Sequence, residues 1–468
     1  MKIGKKIRQV APWLLPMQRF TAGHSFNVPE RNILAGYLFY MILGFLLLLL
    51  PWCQKTDVSV IDNLFTAVSA MSTTGLATVD IPGSYTMLGQ CLILFLIQAG
   101  GIGYMTLSSY IILRATHSAG YTRPIINTAI SRPEGMHLND LVNNIIHFTI
   151  IFEAMGFLSL YMAFLHAGTP LPAWNAIFLS ISSFCTAGIS PFSDSLCSFE
   201  SNVWVNSTIA ILSYAGALGF IVITDIIYKL RRPGYSLTFT SKVILSVTAV
   251  MTVLGTLALM ACPAMAEGPH KEGLVSNAFF QTMSAMTTVG FNNVDLSLLK
   301  VGPILVFSLI MFIGASPSGT GGGVKCTSVT AVYSFIVSQL GFRRTTTFMG
   351  RPIPSYRIES ALTSIIVYGT LIFVGCVILS YTEPFQLSQL LFEATSAIGT
   401  VGLSTGITSE LSGAGKVVII VLMYIGRVGV ITFGTALIGR LRAPSPTTPP
   451  SDLVAWQQWP EMSAAPHP

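Results

Sequence analysis

Four stretches of this sequence carry phenylalanine, serine, threonine and glycine at one fixed spacing. The glycines, which lie 113, 102 and 112 residues apart, are Gly75, Gly188, Gly290 and Gly402. Threonine stands two positions earlier in every copy, at Thr73, Thr186, Thr288 and Thr400. Serine stands six positions earlier, at Ser69, Ser182, Ser284 and Ser396, and phenylalanine ten positions earlier, at Phe65, Phe178, Phe280 and Phe392. A pattern that recurs four times at this period determines the architecture of a chain.

Each copy predicts a short helix that ends in a Thr-x-Gly turn, because residues at i, i+4 and i+8 lie along one helix face. The polar residues thirteen positions before the glycines are expected to start these helices, and they are Asp62, Asn175, Asn277 and Gln389. Glycine lets the backbone turn its carbonyl groups to one side. Carbonyls from four such turns could replace the water shell of a monovalent cation, and the C-termini of the helices would add partial negative charge.

The four turns together predict a cation filter. Its residues are Thr73, Thr74, Gly75, Thr186, Ala187, Gly188, Thr288, Val289, Gly290, Thr400, Val401 and Gly402. We expect the only metal in this chain to be the cation held by these residues. Selectivity for cations over anions then requires no ring of carboxylates.

A glycine-rich run at 314–326 interrupts an apolar segment below the third turn. It is not a phosphate-binding P-loop, because Val324 separates the last glycine from Lys325 and Cys326 replaces the required Ser or Thr. Five glycines in ten positions must break a helix, so we predict a mobile intramembrane loop that gates the pathway. The predicted gate comprises Gly314, Ser316, Ser318, Gly319, Thr320, Gly321, Gly322, Gly323, Lys325 and Arg427.

Arg427 belongs to the gate because it lies inside the last apolar segment, 25 residues after Gly402. An arginine at that depth is costly, which makes a lipid-facing position unfavourable. We expect its guanidinium to face the pathway and to donate hydrogen bonds to carbonyls of residues 319–323. The alternative is a structural role, in which Arg427 pairs with a helix carbonyl or with Glu153.

Other acidic residues lie in or near the apolar segments. We expect Asp225 to pair with Lys229, while the role of Glu153 is left open. Asp80 and Asp295 each follow a turn glycine by five residues, where they either concentrate cations or simply cap a solvated turn.

The composition places these motifs in a membrane. Apolar residues form 52% of the 468-residue chain and charged residues 9%, too few charges for a soluble surface. The low charge also excludes a disordered chain, and the absence of a dense basic tract argues against nucleic-acid binding. The seven cysteines contain no Cys-x-x-Cys pair, so they indicate neither a zinc site nor a disulfide framework. An all-α polytopic membrane protein is predicted.

Eight apolar segments are long enough to cross a bilayer, near 32–54, 86–113, 143–166, 203–229, 240–262, 301–340, 357–381 and 416–439. With the N-terminus inside, nineteen of the 25 basic residues fall on the cytoplasmic side, so both termini are predicted to be cytoplasmic. Every copy of the motif then enters from the same side. The chain is therefore read as a cytoplasmic N-terminus (1–28), four repeats (29–113, 143–229, 239–340 and 357–440), three cytoplasmic linkers (114–142, 230–238 and 341–356) and a disordered cytoplasmic tail (441–468).

These motifs together resemble the Trk/Ktr/HKT superfamily of potassium transporters over residues 30–440, and most closely its Ktr-type pore subunits. The resemblance rests on Ser-Thr-Thr-Gly-Leu (72–76), Cys-Thr-Ala-Gly-Ile-Ser (185–190), the equivalent stretches at 287–295 and 399–406, the loop 314–325 and Ile-Gly-Arg-Val-Gly (425–429). It implies four parallel membrane–pore–membrane repeats, with eight spanning helices and four re-entrant pore helices around a pseudo-fourfold pore. Because serine at the first filter position implies sodium transport in HKT-like relatives, Gly75 implies potassium.

The resemblance also implies potassium uptake across the cytoplasmic (inner) membrane by a homodimer with a cytosolic ring of nucleotide-binding RCK-type regulatory subunits. We expect no cofactor on this chain, since no Rossmann fingerprint is present. The only other expected contact is membrane lipid.

Three alternatives to uncoupled potassium uptake can be compared with these sequence features. Sodium or proton coupling of the transport stays open. An organic-solute secondary carrier is less favoured, because such carriers usually have inverted repeats and two discontinuous spans, whereas these repeats are parallel. A membrane enzyme is not expected, because no nucleophile–base pair or metal-ligand cluster lies in the spans.

Overall fold

The structure, a computed structural model, describes residues 29–103, 138–262, 273–297, 299–343 and 345–438. The predicted N-terminal segment, nearly all of the first linker and the predicted tail therefore lie outside the described residues. The helices of eight or more residues are α1 Pro29–Leu48, α2 Val60–Ser72, α3 Met87–Ile102, α4 Leu138–Ala167, α5 Pro172–Phe184, α6 Val203–Arg231, α7 Phe239–Met260, α8 Leu274–Thr287, α9 Val301–Phe312, α10 Cys326–Leu340, α11 Ser355–Thr382, α12 Leu387–Gly399, α13 Gly413–Val428 and α14 Val430–Ile438.

Strands are almost absent from the described residues. Two-residue strands β1 (Ile313–Gly314) and β2 (Val324–Lys325) pair in parallel and close the base of the glycine-rich loop. A small hairpin, β3 (Thr347–Phe348) and β4 (Arg351–Pro352), lies in the predicted third linker. The predicted all-α fold of a polytopic membrane protein is confirmed.

Four short helices, α2, α5, α8 and α12, carry the repeated motif. The phenylalanine of each copy is almost fully buried, between 0% and 1% exposed, so it anchors the helix in the bundle. The predicted starting residues are displaced: Ser59 caps α2, and Asp62 lies in its first turn. Asn175 lies in the first turn of α5, which Pro172 begins. Proline is favoured at a first helical position because that position needs no N–H donor.

The helices that follow the short helices close a ring. Each packs against the short helix of its own repeat and against the short helix of the next repeat. The contacts to the next repeat are α3 with α5, α6 with α8, α9 with α12 and, closing the circle, α13 with α2. The fourth repeat therefore contacts the first as the first contacts the second.

Within the described residues, four helices are long and apolar enough to cross a membrane: Asn143–Ala167, Val203–Arg231, Phe239–Met260 and Ser355–Thr382. Several predicted spans are not continuous helices. The helix α3 ends at Ile102, Gly219 kinks α6, and Gly429 separates α13 from α14. The glycines at these breaks have φ between +77° and +92°, a conformation that other residues rarely adopt. The Gly-x-x-Gly spacing at 100–103, 216–219 and 426–429 indicates close helix packing, and its second glycine also marks a break in the helix.

Candidate cation pathway

The Thr-x-Gly turns at 73–75, 186–188, 288–290 and 400–402 share one backbone conformation. Their threonines have φ between +49° and +57°, and their glycines have φ between +63° and +96°. A left-handed residue ends a helix, so the chain leaves each short helix at the threonine. The repeated threonine is thus a helix terminator, and the glycine continues a backbone path that side chains other than hydrogen disfavour.

The repeated serine forms hydrogen bonds to the backbone of the turn in its own copy. In the first copy the Ser69 backbone carbonyl accepts a hydrogen bond from the Thr74 N–H (2.9 Å), and its hydroxyl donates to the Leu76 carbonyl (2.7 Å). The backbone bond recurs in all four copies, at 2.8–3.1 Å. The hydroxyl bond recurs from Ser182 and Ser284, at 2.8 and 2.6 Å, whereas the Ser396 hydroxyl accepts the Gly402 N–H at 3.0 Å.

The glycines of the four turns meet in a closed ring. A side chain added at Gly75 would place its Cβ 2.5 Å from the Ala187 carbonyl oxygen of the second turn. A Cβ at each of the other glycines would overlap the equivalent carbonyl of the next turn: Gly188 that of Val289, Gly290 that of Val401, and Gly402 that of Thr74. The fourth turn thus abuts the first, and the four turns are arranged around one axis with pseudo-fourfold symmetry.

The carbonyls of these turns have no protein partner. Among the described residues, none of the twelve backbone carbonyls at 73–75, 186–188, 288–290 and 400–402 accepts a hydrogen bond. Buried carbonyls without a partner are costly, so such a set requires a ligand or solvent. Carbonyl oxygens from four turns around one axis can coordinate a dehydrated monovalent cation.

The glycine-rich loop (residues 315–323) lies against the threonine side chains of the turns. The Thr320 hydroxyl lies 3.1 Å from the Thr186 hydroxyl, and the Gly322 N–H donates to the Thr288 hydroxyl at 3.0 Å. A Cβ at Gly322 would overlap the Thr400 hydroxyl. The loop therefore occupies the space next to three of the four turns.

The glycines of this loop allow its backbone to pack closely against the backbone of neighbouring elements. The Ser316 and Thr320 N–H groups donate to the carbonyls of Ala217 and Gly216 on α6, at 3.2 and 3.0 Å. A Cβ at Gly319 would overlap the Ala217 carbonyl. The glycines are the positions at which the loop backbone approaches neighbouring groups most closely. Mobility of the loop stays a prediction.

Arg427, which belongs to the fourth repeat, forms hydrogen bonds that hold the glycine-rich loop in place. Its guanidinium donates to the Thr320 carbonyl at 2.7 Å and to the Thr73 hydroxyl at 2.9 Å. It also donates to the carbonyls of Gly100 and Gly101 near the end of α3. The predicted bond to a loop carbonyl is present, and so is the alternative bond to a helix carbonyl. The alternative partner Glu153 instead accepts a hydrogen bond from Gln98 at 3.2 Å.

Lys325, which follows the C-terminal end of the same loop, also forms a hydrogen bond to it. Its ammonium group donates to the Gly321 carbonyl at 2.7 Å. Two successive loop carbonyls, of Thr320 and Gly321, are thus each bonded to a positive charge. A cavity of about 400 Å³ adjoins both cations, the loop and the helix breaks at Gly103, Gly219 and Gly429. No Asp or Glu in the described part of the chain lines it.

The remaining predicted acids have structural contacts. Asp225 was expected to pair with Lys229, which was wrong: its carboxylate accepts from the Tyr235 hydroxyl at 2.5 Å and from the Thr238 N–H at 2.8 Å, and so holds the second linker. Asp80 caps a helical turn through the Gly83 N–H and accepts from Ser193. Asp295 accepts from the Ser297 N–H at 2.9 Å.

Asp62 forms the ion pair that joins the first and fourth repeats, with 2.7 Å between its carboxylate and the Lys416 ammonium group. Burial would raise the pKa of Asp62, but hydrogen bonds from Lys416 and Ser59 outweigh it and hold the pKa below its ordinary value. The pair therefore stabilises the α2–α13 contact, which closes the ring.

Sequence reasoning missed Glu393. It directly follows the repeated phenylalanine of the fourth copy, is 0% exposed and accepts hydrogen bonds from the segment behind the fourth turn. The available signal was a charged residue in an otherwise uncharged position of the repeat, which aligns with Thr66, Leu179 and Gln281.

Residues 39–445 match the TrkH family, described as cation transport proteins. Ktr system potassium uptake protein B of Vibrio alginolyticus is 33% identical, over 89% of this chain and 92% of the relative. The protein of the same name from Bacillus subtilis is also 33% identical, over 86% and 92%. Potassium/sodium uptake protein NtpJ of Enterococcus hirae is 32% identical, over 88% and 93%.

A solved structure has the same fold. The crystal structure of the potassium transporter TrkH from Vibrio parahaemolyticus superposes with a TM-score of 0.71 over 88% of this chain and 86% of that one, at 18% identity. The family match, the relatives and the shared fold agree with one another. This chain belongs to the TrkH family of cation transport proteins.

Proposed function

We propose that this chain is the pore-forming subunit of a potassium uptake system, in which K⁺ crosses the membrane through the four Thr-x-Gly turns. The observation that carries the proposal is the closed ring in which each turn glycine abuts the carbonyl of the next turn. Twelve unpartnered carbonyls and four helix C-termini favour a cation there. The relatives named as potassium uptake proteins support potassium as that cation.

The gate is proposed to be the loop together with Arg427 and Lys325. Each short helix presents about half a negative elementary charge at its C-terminus. Four such ends sum to about two negative elementary charges, which the two positive charges of Arg427 and Lys325 balance. The two side chains then act as tethered cations that compete with K⁺ below the filter. Opening requires breaking their bonds to the Thr320 and Gly321 carbonyls.

Assembly and location complete the proposal. The chain lies in the inner membrane with both termini in the cytoplasm and functions as a homodimer on a cytosolic RCK-type regulatory ring. The relatives named as protein B of a Ktr system support a membrane subunit that works with a regulatory partner. The relative named as a potassium/sodium uptake protein makes sodium the first coupling ion to test. An organic-solute carrier is not supported by any described contact.

Ion flux into proteoliposomes tests the function directly. The purified chain should take up ⁸⁶Rb⁺ as a K⁺ surrogate, and excess K⁺ should compete far better than excess Na⁺. Repeating the assay with and without Na⁺ distinguishes coupled from uncoupled transport. Uptake that Na⁺ and K⁺ inhibit equally would contradict the proposed filter.

A further inference from the structure

The short helix of the fourth repeat contains a buried carboxylate at a position where the other three repeats carry no charge. At the position nine residues before the turn glycine, the repeats carry Thr66, Leu179, Gln281 and Glu393. Glu393 is 0% exposed and lies in the middle of α12. The carboxylate is therefore an asymmetric feature in a pseudo-fourfold structure, and it lies directly behind one of the four turns.

The hydrogen bonds of Glu393 suit an ionised carboxylate. It accepts from the hydroxyls of Ser404 (2.5 Å) and Thr408 (2.8 Å) and from the Thr405 N–H (3.2 Å). Three donors favour the charged form of a buried carboxyl group. By contrast, Glu153 accepts one bond of ordinary geometry, from Gln98, and one weak thiol contact, from Cys185.

No basic side chain in the described part of the chain pairs with Glu393; the ion pair found there joins Lys416 to Asp62. A buried charge without a counter-charge is unfavourable. The donors of Glu393 belong to residues 404–408, which begin two positions after Gly402. A cation held by the turns is therefore the nearest opposite charge that the proposed function supplies.

We propose that Glu393 is an affinity-determining residue: its fixed negative charge behind the fourth turn is the counter-charge of the cation in the filter. This inference rests on the proposed function. The charge acts through a low-dielectric interior, where a unit charge still has an appreciable effect at a distance of several ångströms. It favours K⁺ occupancy without touching the ion and without placing a carboxylate in the pathway.

The third repeat offers a way to separate charge from structure. Gln281 is also 0% exposed, and its amide donates to Asn293, three residues after Gly290, at 2.9 Å. Thr405, which donates to Glu393, stands three residues after Gly402. Gln281 and Glu393 therefore occupy equivalent places behind neighbouring turns. A carboxylate moved to position 281 keeps about the same distance from the axis.

The test measures the KM for K⁺ and the maximal uptake rate per folded transporter. Glu393→Gln should raise the KM about three- to tenfold, the effect of one charge at an intermediate dielectric, and leave the maximal rate within about twofold. The matched control is Glu383→Gln, because Glu383 is also buried (7% exposed) but binds Ser412 at the start of α13, away from the turns. Its KM should stay unchanged.

Charge relocation decides the question. The double variant Glu393→Gln/Gln281→Glu should recover most of the wild-type KM, which a merely structural role of Glu393 would not permit. An unchanged KM in Glu393→Gln, or a raised KM that relocation leaves uncorrected, overturns the inference.

Gln281→Glu alone covers the case in which Glu393→Gln does not fold. It should lower the KM, and an unchanged or raised KM refutes the inference. A failed filter is recognised separately, by equal competition of Na⁺ and K⁺ in the unmodified chain.

Discussion

Replacing Gly75 by serine should weaken the preference for K⁺ over Na⁺. Its Cβ would lie 2.5 Å from the Ala187 carbonyl oxygen, whereas real Cβ atoms keep at least about 3.0 Å, so the two turns must separate by about 0.5 Å. Gly75 also has a φ of +96°, which an L-residue adopts at a cost of roughly 1–2 kcal/mol. A binding site tolerates displacements of its ligand atoms of about 0.5 Å, so a displacement of this size is at the limit of what ion coordination allows.

A loss of about 1.4 kcal/mol of K⁺-specific coordination, which lies within the range of that backbone cost, would lower the K⁺/Na⁺ preference about tenfold. The same substitution at Gly188, Gly290 or Gly402 should cost at least as much, because a Cβ there overlaps the neighbouring carbonyl more severely. The apparent affinity for K⁺ should fall more than the affinity for Na⁺.

Competition uptake in a potassium-uptake-deficient host measures this preference. Gly369→Ser is the matched control, because Gly369 lies within α11 and a Cβ there meets nothing within 4 Å. The control should keep the wild-type preference. Wild-type ion preference in all four turn variants would refute the assignment of the filter.

Three further changes test the gate and the ring. Arg427→Gln should raise the initial uptake rate because it removes the tethered charge, and Arg427→Lys should change it less; a lower rate in both, with a lower melting temperature, would favour a structural role instead. Deleting residues 316–322 should raise flux and reduce its dependence on a regulatory partner, so unchanged or abolished flux in a folded deletion variant would contradict a gate. Asp62→Asn should lower the stability of the folded chain at neutral pH, because the ionised Asp62 stabilises it above the ordinary carboxyl pKa and stops doing so as the pH falls through the lowered pKa. If the melting temperature of the variant falls in acid as much as that of the wild type, the ion pair does not contribute this stability.

The turns were predictable from the sequence because four copies constrain one another. A single Thr-x-Gly is an ordinary helix end, whereas the shared Phe65, Ser69 and Thr73 pattern required a common conformation. The sequence also predicted that Arg427 would reach a carbonyl of the loop, because a mid-membrane guanidinium needs such partners. It did not predict the bonds to Thr73 and Gly100, which depend on how the fourth repeat closes onto the first.

Other features depend on tertiary contacts that one-dimensional patterns do not contain. The spacing Gly-x-x-Gly indicates close packing, but Gly219 also has a positive φ, and a Cβ there would overlap the Ser318 carbonyl of the loop. Asp225 lies one helical turn from Lys229, yet its carboxylate accepts hydrogen bonds from Tyr235 and Thr238, which follow the helix in the second linker. The role of Glu393 was not predicted, because its hydrogen-bond donors, Ser404 and Thr408, follow the turn in the sequence.

Ion occupancy on the pseudo-fourfold axis tests the central claim most directly. Crystals of the full chain grown with Rb⁺ or Tl⁺ would reveal the ion by its anomalous scattering. The account predicts a peak at the centre of the ring, in coordination distance of the carbonyls of 73–75, 186–188, 288–290 and 400–402, and a weaker peak when Na⁺ is in excess than when Na⁺ is absent. An axis without a peak, or a peak coordinated by side chains elsewhere in the bundle, would contradict it.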